Sequence, residues 1–262
     1  SSNEGSGIQS SHAEKAAQNI PKEEFERKVK EIIRLALTSE LRKVPLKRDE
    51  IIRKVLKEHS RSFPVILSKA QERLRDIFGM DLVELPVKDK RVNIGSNAPR
   101  RNAQVKEKSS SNSYILKNIL PKKLLETDLI NWDKNKDLEV MGLLTVVLSL
   151  ILVNGRVLSD GRYYFHQLNN YTRRLHLHND ERFDLEKLIA NFVKQGYLVK
   201  QKVSVVENPS QTSDKDPVEY RWGPRAKIEM PESNLCDFIK AVYGNDAPPD
   251  LEKRIERASG IE

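Results

Sequence analysis

The strongest constraint on this chain is an order of elements that occurs twice: helix, helix, helix, then a pair of short strands. After Pro21, Phe25, Val29, Ile32, Ile33 and Leu37 recur at spacings of three and four. That is the periodicity of an amphipathic helix. Residues 47–58 repeat it more briefly through Ile51, Ile52, Val55 and Leu56. Ser62-Phe63-Pro64 opens a third helix, with Ile66, Ala70, Leu74, Ile77 and Phe78 expected on one face, and Gly79 supplies a left-handed stop. Leu82-Val83-Glu84-Leu85 reads as a strand ended by Pro86, and Tyr114-Ile115-Leu116 as its return.

The same order then resumes. Residues 139–153 form the most apolar helix, and Ser159-Asp160 offers an N-cap for a helix through Phe165 and Leu168. Asp184–Gln195 is a third helix, stopped by Gly196. Residues 197–206 and Val218–Trp222 are the strand pair, and residues 232–243 add a closing helix. There is no repeat of residues, only of element types. The expected fold is mainly α with small β wings (α+β), as tandem winged-helix domains. In such a unit the third helix can enter a major groove while the wing touches the backbone. The expected layout is a disordered segment at 1–20 and a first unit at 21–120 with a long polar wing insert at 88–112. A linker at 121–138, a second unit at 139–244 and a tail at 245–262 follow.

Composition removes several classes. Hydrophobic residues are 38% and charged residues 32% of 262, which suits two small cores better than one large one. A single cysteine, Cys236, excludes an intrachain disulfide and a cysteine-based zinc cluster, and suits a reducing compartment. The longest apolar run, Gly142–Val153, has 12 residues. It is too short for the ~20 of a membrane span and reads as a core helix. Ser1–Ser11 is polar and lacks the apolar segment of a signal peptide. The missing initial Met suggests a processed form.

No arrangement of nucleophile, base and carboxylate stands out, so no catalytic residue and no enzyme activity is expected. Gly155-Arg-Val-Leu-Ser-Asp-Gly161 has the outline of a phosphate loop. It is one residue too long and lacks the Lys-Ser/Thr that would hold a nucleotide, so it reads as a connecting turn. His176 and His178 share a strand face but are too few for a metal site, and neither metal nor cofactor is expected.

The net charge of +8 points to nucleic acid or an acidic partner once it is located on the chain. Residues 88–110 carry +5 in a polar segment, and residues 40–61 carry eight Lys/Arg against four acids. No acid lies between Lys194 and residue 206. Asp184 and Glu186 open the helix before it, suiting a helix N-terminus but repelling DNA. The expected DNA-binding residues are therefore Lys187, Lys194, Lys200 and Lys202, placed at the C-terminal end and wing. They would neutralise phosphates without reading sequence. Arg173 and Arg174 are weaker candidates beside acids. Tyr220 and Trp222 are core or interface anchors, and the all-round apolar helix at 142–153 has surface to spare for a neighbour.

Phe63-Pro-Val-Ile-Leu-Ser-Lys-Ala70, Ile77–Leu85, Gly142–Ile151 with Asn154-Gly155, and above all Asp216-Pro-Val-Glu-Tyr-Arg-Trp-Gly-Pro-Arg-Ala226 resemble the MAGE homology domain. The resemblance covers roughly residues 22–244. It implies paired winged-helix units and binding to RING-type ubiquitin ligases. The long insert at 88–112 favours the family member found in the SMC five–six DNA-repair complex. Expected partners are then a RING-type ubiquitin ligase subunit, a kleisin subunit, SMC proteins and double-stranded DNA, on chromosomes in the nucleus and not at a membrane. The expected partner-binding residues are Leu35, Leu37, Tyr220 and Trp222. The family's paired leucines align with Ala36-Leu37, so half the pair is missing. Rival readings are a RING ligase adaptor outside any SMC complex and a sequence-specific transcription regulator.

Overall fold

The computed structural model describes residues 12–87, 110–121, 134–159, 184–202 and 218–244, with residues 170 and 253 as isolated points. The chain divides into two compact units, Ser1–Leu129 and Ile130–Glu262. Both are mainly helical and each carries one small antiparallel sheet.

In the first unit, α1 (residues 12–18) precedes α2 (Lys22–Leu41). Of the segment expected as disordered at 1–20, residues 12–20 are described, and they are ordered: Ala13 and Ile20 are buried, and Ile20 belongs to the unit's core. Glu23 and Glu24 lie in the first turn of α2, where negative charge suits the helix dipole. β1 (Leu46–Lys47) is followed by α3 (Arg48–Ile51), a π-type turn (Ile52–Leu56) and a 3-10 segment (Lys57–Ser62). The expected second helix is thus interrupted at Lys57, where φ is 54°, between the π-type turn and the 3-10 segment. It still buries Ile51, Val55 and Leu56.

α4 (Phe63–Phe78) starts with Pro64 in its first turn and ends at Gly79, left-handed at φ 61°. Its buried face is Phe63, Ile66, Ala70 and Leu74. Ile77 and Phe78, expected on that face, are 68% and 40% exposed. At Gly79 the chain turns out of the helix into β2 (Met80–Glu84), which pairs with β3 (Ser113–Asn118) in the register Leu82↔Leu116. β1 adds a third strand, Leu46↔Tyr114, giving the order β1-β3-β2. Two residues are too few to show strand alternation in a sequence.

In the second unit, α5 (Lys134–Val153) begins inside the stretch expected as a linker. Leu144, Val147, Leu148, Ile151 and Leu152 are fully buried, and the hydroxyl of buried Ser149 donates to the Thr145 carbonyl at 2.8 Å. Ser159 closes β4 (Leu158–Ser159), which pairs with the later strand β6. Asp160 and the helix that Ser159-Asp160 was expected to cap, through Phe165 and Leu168, lie outside the described residues, as do His176, His178, Arg173, Arg174 and most of the 88–112 insert. α6 (Leu185–Gln195) has an N-cap at Asp184, whose carboxylate accepts from the Lys187 backbone N–H at 3.3 Å. Gly196, at φ 86°, ends it. β5 (Leu198–Lys202) pairs with β6 (Val218–Trp222), Leu198 opposite Trp222 and Lys200 opposite Tyr220. α7 (Pro224–Glu229) and α8 (Glu232–Tyr243) complete the unit. The core sits between α5, α6 and the sheet. Among the described residues no helix is long and apolar enough to cross a membrane.

Candidate nucleic-acid interface

Lys187, Lys194, Lys200 and Lys202 are all solvent-exposed. Lys194 sits in the last turn of α6, where cations suit the dipole. Lys200 and Lys202 are two apart on β5, so they share a face. Lys187 does not join them. It lies in the first turn of α6, about 10 Å along the axis from Lys194 at 1.5 Å per residue. Its Nζ is 3.1 Å from Asp184 Oδ2. Residue numbers alone had grouped it with the C-terminal end.

The strip that is free of acids in sequence has an acid neighbour in space. Burial raises the Tyr220 phenol above its ordinary pKa, and the charge of Glu186 adds to the effect. Glu186 therefore stands near the ring opposite Lys200. On the other face of the sheet, Arg221 and Glu219 pair at 3.3 Å.

Tyr220 and Trp222, expected at a partner surface, are core residues, each 8% exposed. Trp222 Nε1 donates to the Leu148 carbonyl of α5 at 3.0 Å, so both its ring and its polar atom are used inside the unit. Leu35 and Leu37 are both half-buried against the first core. Two residues apart on a helix, they point about 200° from each other and lie on opposite flanks of the buried stripe. They cannot present one surface together. Leu41, one turn beyond Leu37, is 74% exposed and continues that flank. The sequence reading missed it because it lies beyond the last buried residue of α2.

The Trp-Gly-Pro-Arg stretch is a structural lock. Gly223 N–H donates to the Tyr197 carbonyl at 2.6 Å, and Arg225 N–H to the Gly196 carbonyl at 3.0 Å. A Cβ on Gly223 would lie 2.7 Å from the carbonyl carbons of Gly196 and Tyr197, and closer still to the Gly196 oxygen. Pro224 opens α7 with its φ already helical. Arg225 is 0% exposed. Its Nε is 2.9 Å from Glu229 Oε1, and its guanidinium stacks 5.1 Å from the Tyr197 ring centre. Tyr197 Oη donates to Glu229 Oε2 at 2.6 Å. The spacing of Arg225 and Glu229, four apart, was the available sequence signal.

One cluster in the first unit has metal-ligand chemistry: Glu24, Glu58 and His59 offer ligand atoms within 4.8 Å of one another. The Lys28 ammonium is 3.6 Å from Glu24 Oε1 and already supplies the positive charge there.

These two units define a mainly helical α+β protein whose small antiparallel sheets close against helices. Residues 32–233 match the MAGE homology domain, and the chain belongs to that family. It is 28% identical over 250 residues to the mouse protein named non-structural maintenance of chromosomes element 3 homolog, covering 92% of this chain and 76% of that one. Identity to its human counterpart is 28% over 228 residues, and the match spans only 63% of that protein's length. Human melanoma-associated antigen D2 is 26% identical over 217 residues, 82% of this chain and 30% of that protein. Among solved structures, a chain of the Nse1-Nse3-Nse4 complex superposes with a TM-score of 0.66 at 26% identity, over 92% of this chain and all of that one.

Proposed function

We propose that this chain is a non-catalytic scaffold subunit of a chromosomal SMC DNA-repair complex, working in the nucleus. It holds a RING-type ubiquitin ligase subunit and a kleisin subunit, and it adds sequence-independent binding to double-stranded DNA. Its two units are tandem winged helices, a reading supported by helices followed by an antiparallel strand pair in each. The observation that carries the proposal is the whole-chain likeness to a component of the Nse1-Nse3-Nse4 complex. The relatives named non-structural maintenance of chromosomes element 3 homolog point the same way. Ubiquitin transfer belongs to the RING partner, which this chain positions. The partner surface on α2 is Leu37 with Leu41, with Leu35 on the other flank. The duplex contact in the second unit is Lys194, Lys200 and Lys202, with Lys187 outside its centre.

Native purification with identification of co-purifying chains tests the assembly. Recovery of SMC and kleisin subunits is the expected result. Recovery of a RING ligase alone would replace it with the free-standing adaptor reading, which the likeness to melanoma-associated antigen D2 supports. Binding to unrelated duplexes should fall with salt. A strong preference for one duplex over scrambled competitors would make the chain a transcription regulator instead. Lys194→Glu, Lys200→Glu and Lys202→Glu together should weaken duplex binding and leave partner recovery intact.

A further inference from the structure

The turn between α3 and α4 holds an exposed lysine in a backbone conformation that lysine rarely adopts. Lys57 has φ 54° and ψ −113°, close to the first central position of a type II′ turn, which glycine dominates. Its side chain is exposed, so the core gains nothing from this strain. The turn is held from within. Lys28 of α2 is 3% exposed, and its Nζ donates to the carbonyls of Val55 at 3.1 Å and Leu56 at 3.4 Å, the two residues before Lys57. A strained, exposed residue whose neighbours are pinned by a buried side chain is a pattern found at ligand-contacting positions.

The surroundings of Lys57 are basic. Arg53 precedes Lys57 by four residues, in the π-type turn, and Arg61 follows it by four, in the 3-10 segment; both are exposed. This stretch keeps Val55, Leu56 and Ser62 inside. None of the three cations has an ion pair among the described residues, whereas some nearby acids are already engaged. Glu50 is 2.6 Å from Lys54 and Glu40 pairs with Lys43, while the exposed Glu58 follows Lys57 directly in the chain. Asp49 and Glu58 are the exposed acids of this stretch, against the three cations. The geometry points to a second duplex-binding surface, in the first unit, in which Arg53, Lys57 and Arg61 contact the DNA phosphate backbone.

The inference deepens the duplex-binding reading and rests on it. In a helix-turn-helix arrangement the segment before the third helix crosses the phosphate backbone. The α3–3-10 stretch is that segment, directly before α4. Charge matching favours DNA over a protein partner: three exposed cations suit a sugar-phosphate strand, and no exposed large hydrophobic residue falls between 42 and 76.

The test is duplex binding by the whole chain, followed by fluorescence anisotropy across a salt series. The variants are Arg53→Gln/Lys57→Gln/Arg61→Gln together, Lys194→Gln/Lys200→Gln/Lys202→Gln together, and Lys57→Gly alone. Each lost phosphate contact lowers the slope of log affinity against log salt by about 0.9. The first triple variant should therefore flatten the slope by about 2.7. That is a difference of roughly 40-fold in how much affinity falls over a fourfold rise in salt. Lys57→Gly relieves the backbone strain, so it should melt no lower than the parent while still losing about one contact. An unchanged slope in the first triple variant, with loss in the second, overturns this inference and leaves the second unit as the DNA site. Loss in the first with none in the second supports it and removes the lysines of β5. A parent chain that binds no duplex at low salt sinks both. Unchanged duplex binding with lost binding to poly-glutamate would assign the surface to an acidic protein and overturn the inference.

Discussion

Gly223→Ala is the most exacting test of the lock at the end of β6. At φ −83° the backbone itself accepts alanine. The obstacle is contact alone. The new Cβ would meet the Gly196 and Tyr197 carbonyl carbons at 2.7 Å, and these are backbone atoms of the α6–β5 turn that cannot rotate aside. The two chains must separate, which breaks or stretches the bonds from Gly223 N–H and Arg225 N–H. Overpacking costs about 1–3 kcal/mol, and two backbone hydrogen bonds about 1 kcal/mol each. The reduced freedom of the unfolded chain returns about 0.5 kcal/mol. The sum is a loss of about 3 kcal/mol. With a urea dependence of about 2 kcal/mol per molar, the midpoint should fall by about 1.5 M. Both tryptophans, Trp132 and Trp222, belong to residues 130–262, so tryptophan emission follows this unit. Gly142→Ala is the control. It lies inside α5 with open space around its Cβ, and it should stabilise by about 0.5–1 kcal/mol. A Gly223→Ala midpoint equal to the parent's would refute the argument from close approach.

Glu229→Ala removes the carboxylate that accepts from buried Arg225 Nε and from the Tyr197 hydroxyl and should cost about 1.5–3 kcal/mol in urea unfolding; a loss below about 0.5 kcal/mol would show that this carboxylate does not hold Arg225 in place. Lys28→Met fills similar volume but leaves the Val55 and Leu56 carbonyls without their donor, at about 1–3 kcal/mol each; unchanged thermal unfolding of the first unit would contradict this. Burial opposes ionisation of Asp81, but hydrogen bonds from Arg75 and Gln71 outweigh it and hold its carboxyl below the ordinary range. The stabilisation is therefore complete above the ordinary carboxylate pKa and fades as pH falls through the lowered one. Asp81→Asn should flatten that part of the acid limb, and an unaltered limb would show that Asp81 is not linked to folding.

The residues carried much of the local architecture. Gly79 and Gly196 were legible as helix stops, because a left-handed residue after an apolar period is a local property. The pairing of residues near 82 with those near 115, and of 198 with 222, followed from strand composition. The family was legible too, through the segments around Phe63 and Trp222. What stayed hidden depended on distance across the fold. β1 and β4, two residues each, exist only because β3 and β6 lie beside them to accept pairing. Ile77 and Phe78 kept the helical period, yet both are exposed, Ile77 by 68%.

The candidate sites divide along the same line. Sequence determined which side chains are charged and how they are spaced along the chain, since both are properties of covalent order. Tertiary structure decided which of those charges are spent. It brought Glu186 to the ring opposite Lys200 and turned Tyr220 and Trp222 into the core. It also sent Lys28 across 27 residues to hold the turn at Lys57. Pairing and burial depend on distances in space, and those arise only when segments far apart in sequence pack together.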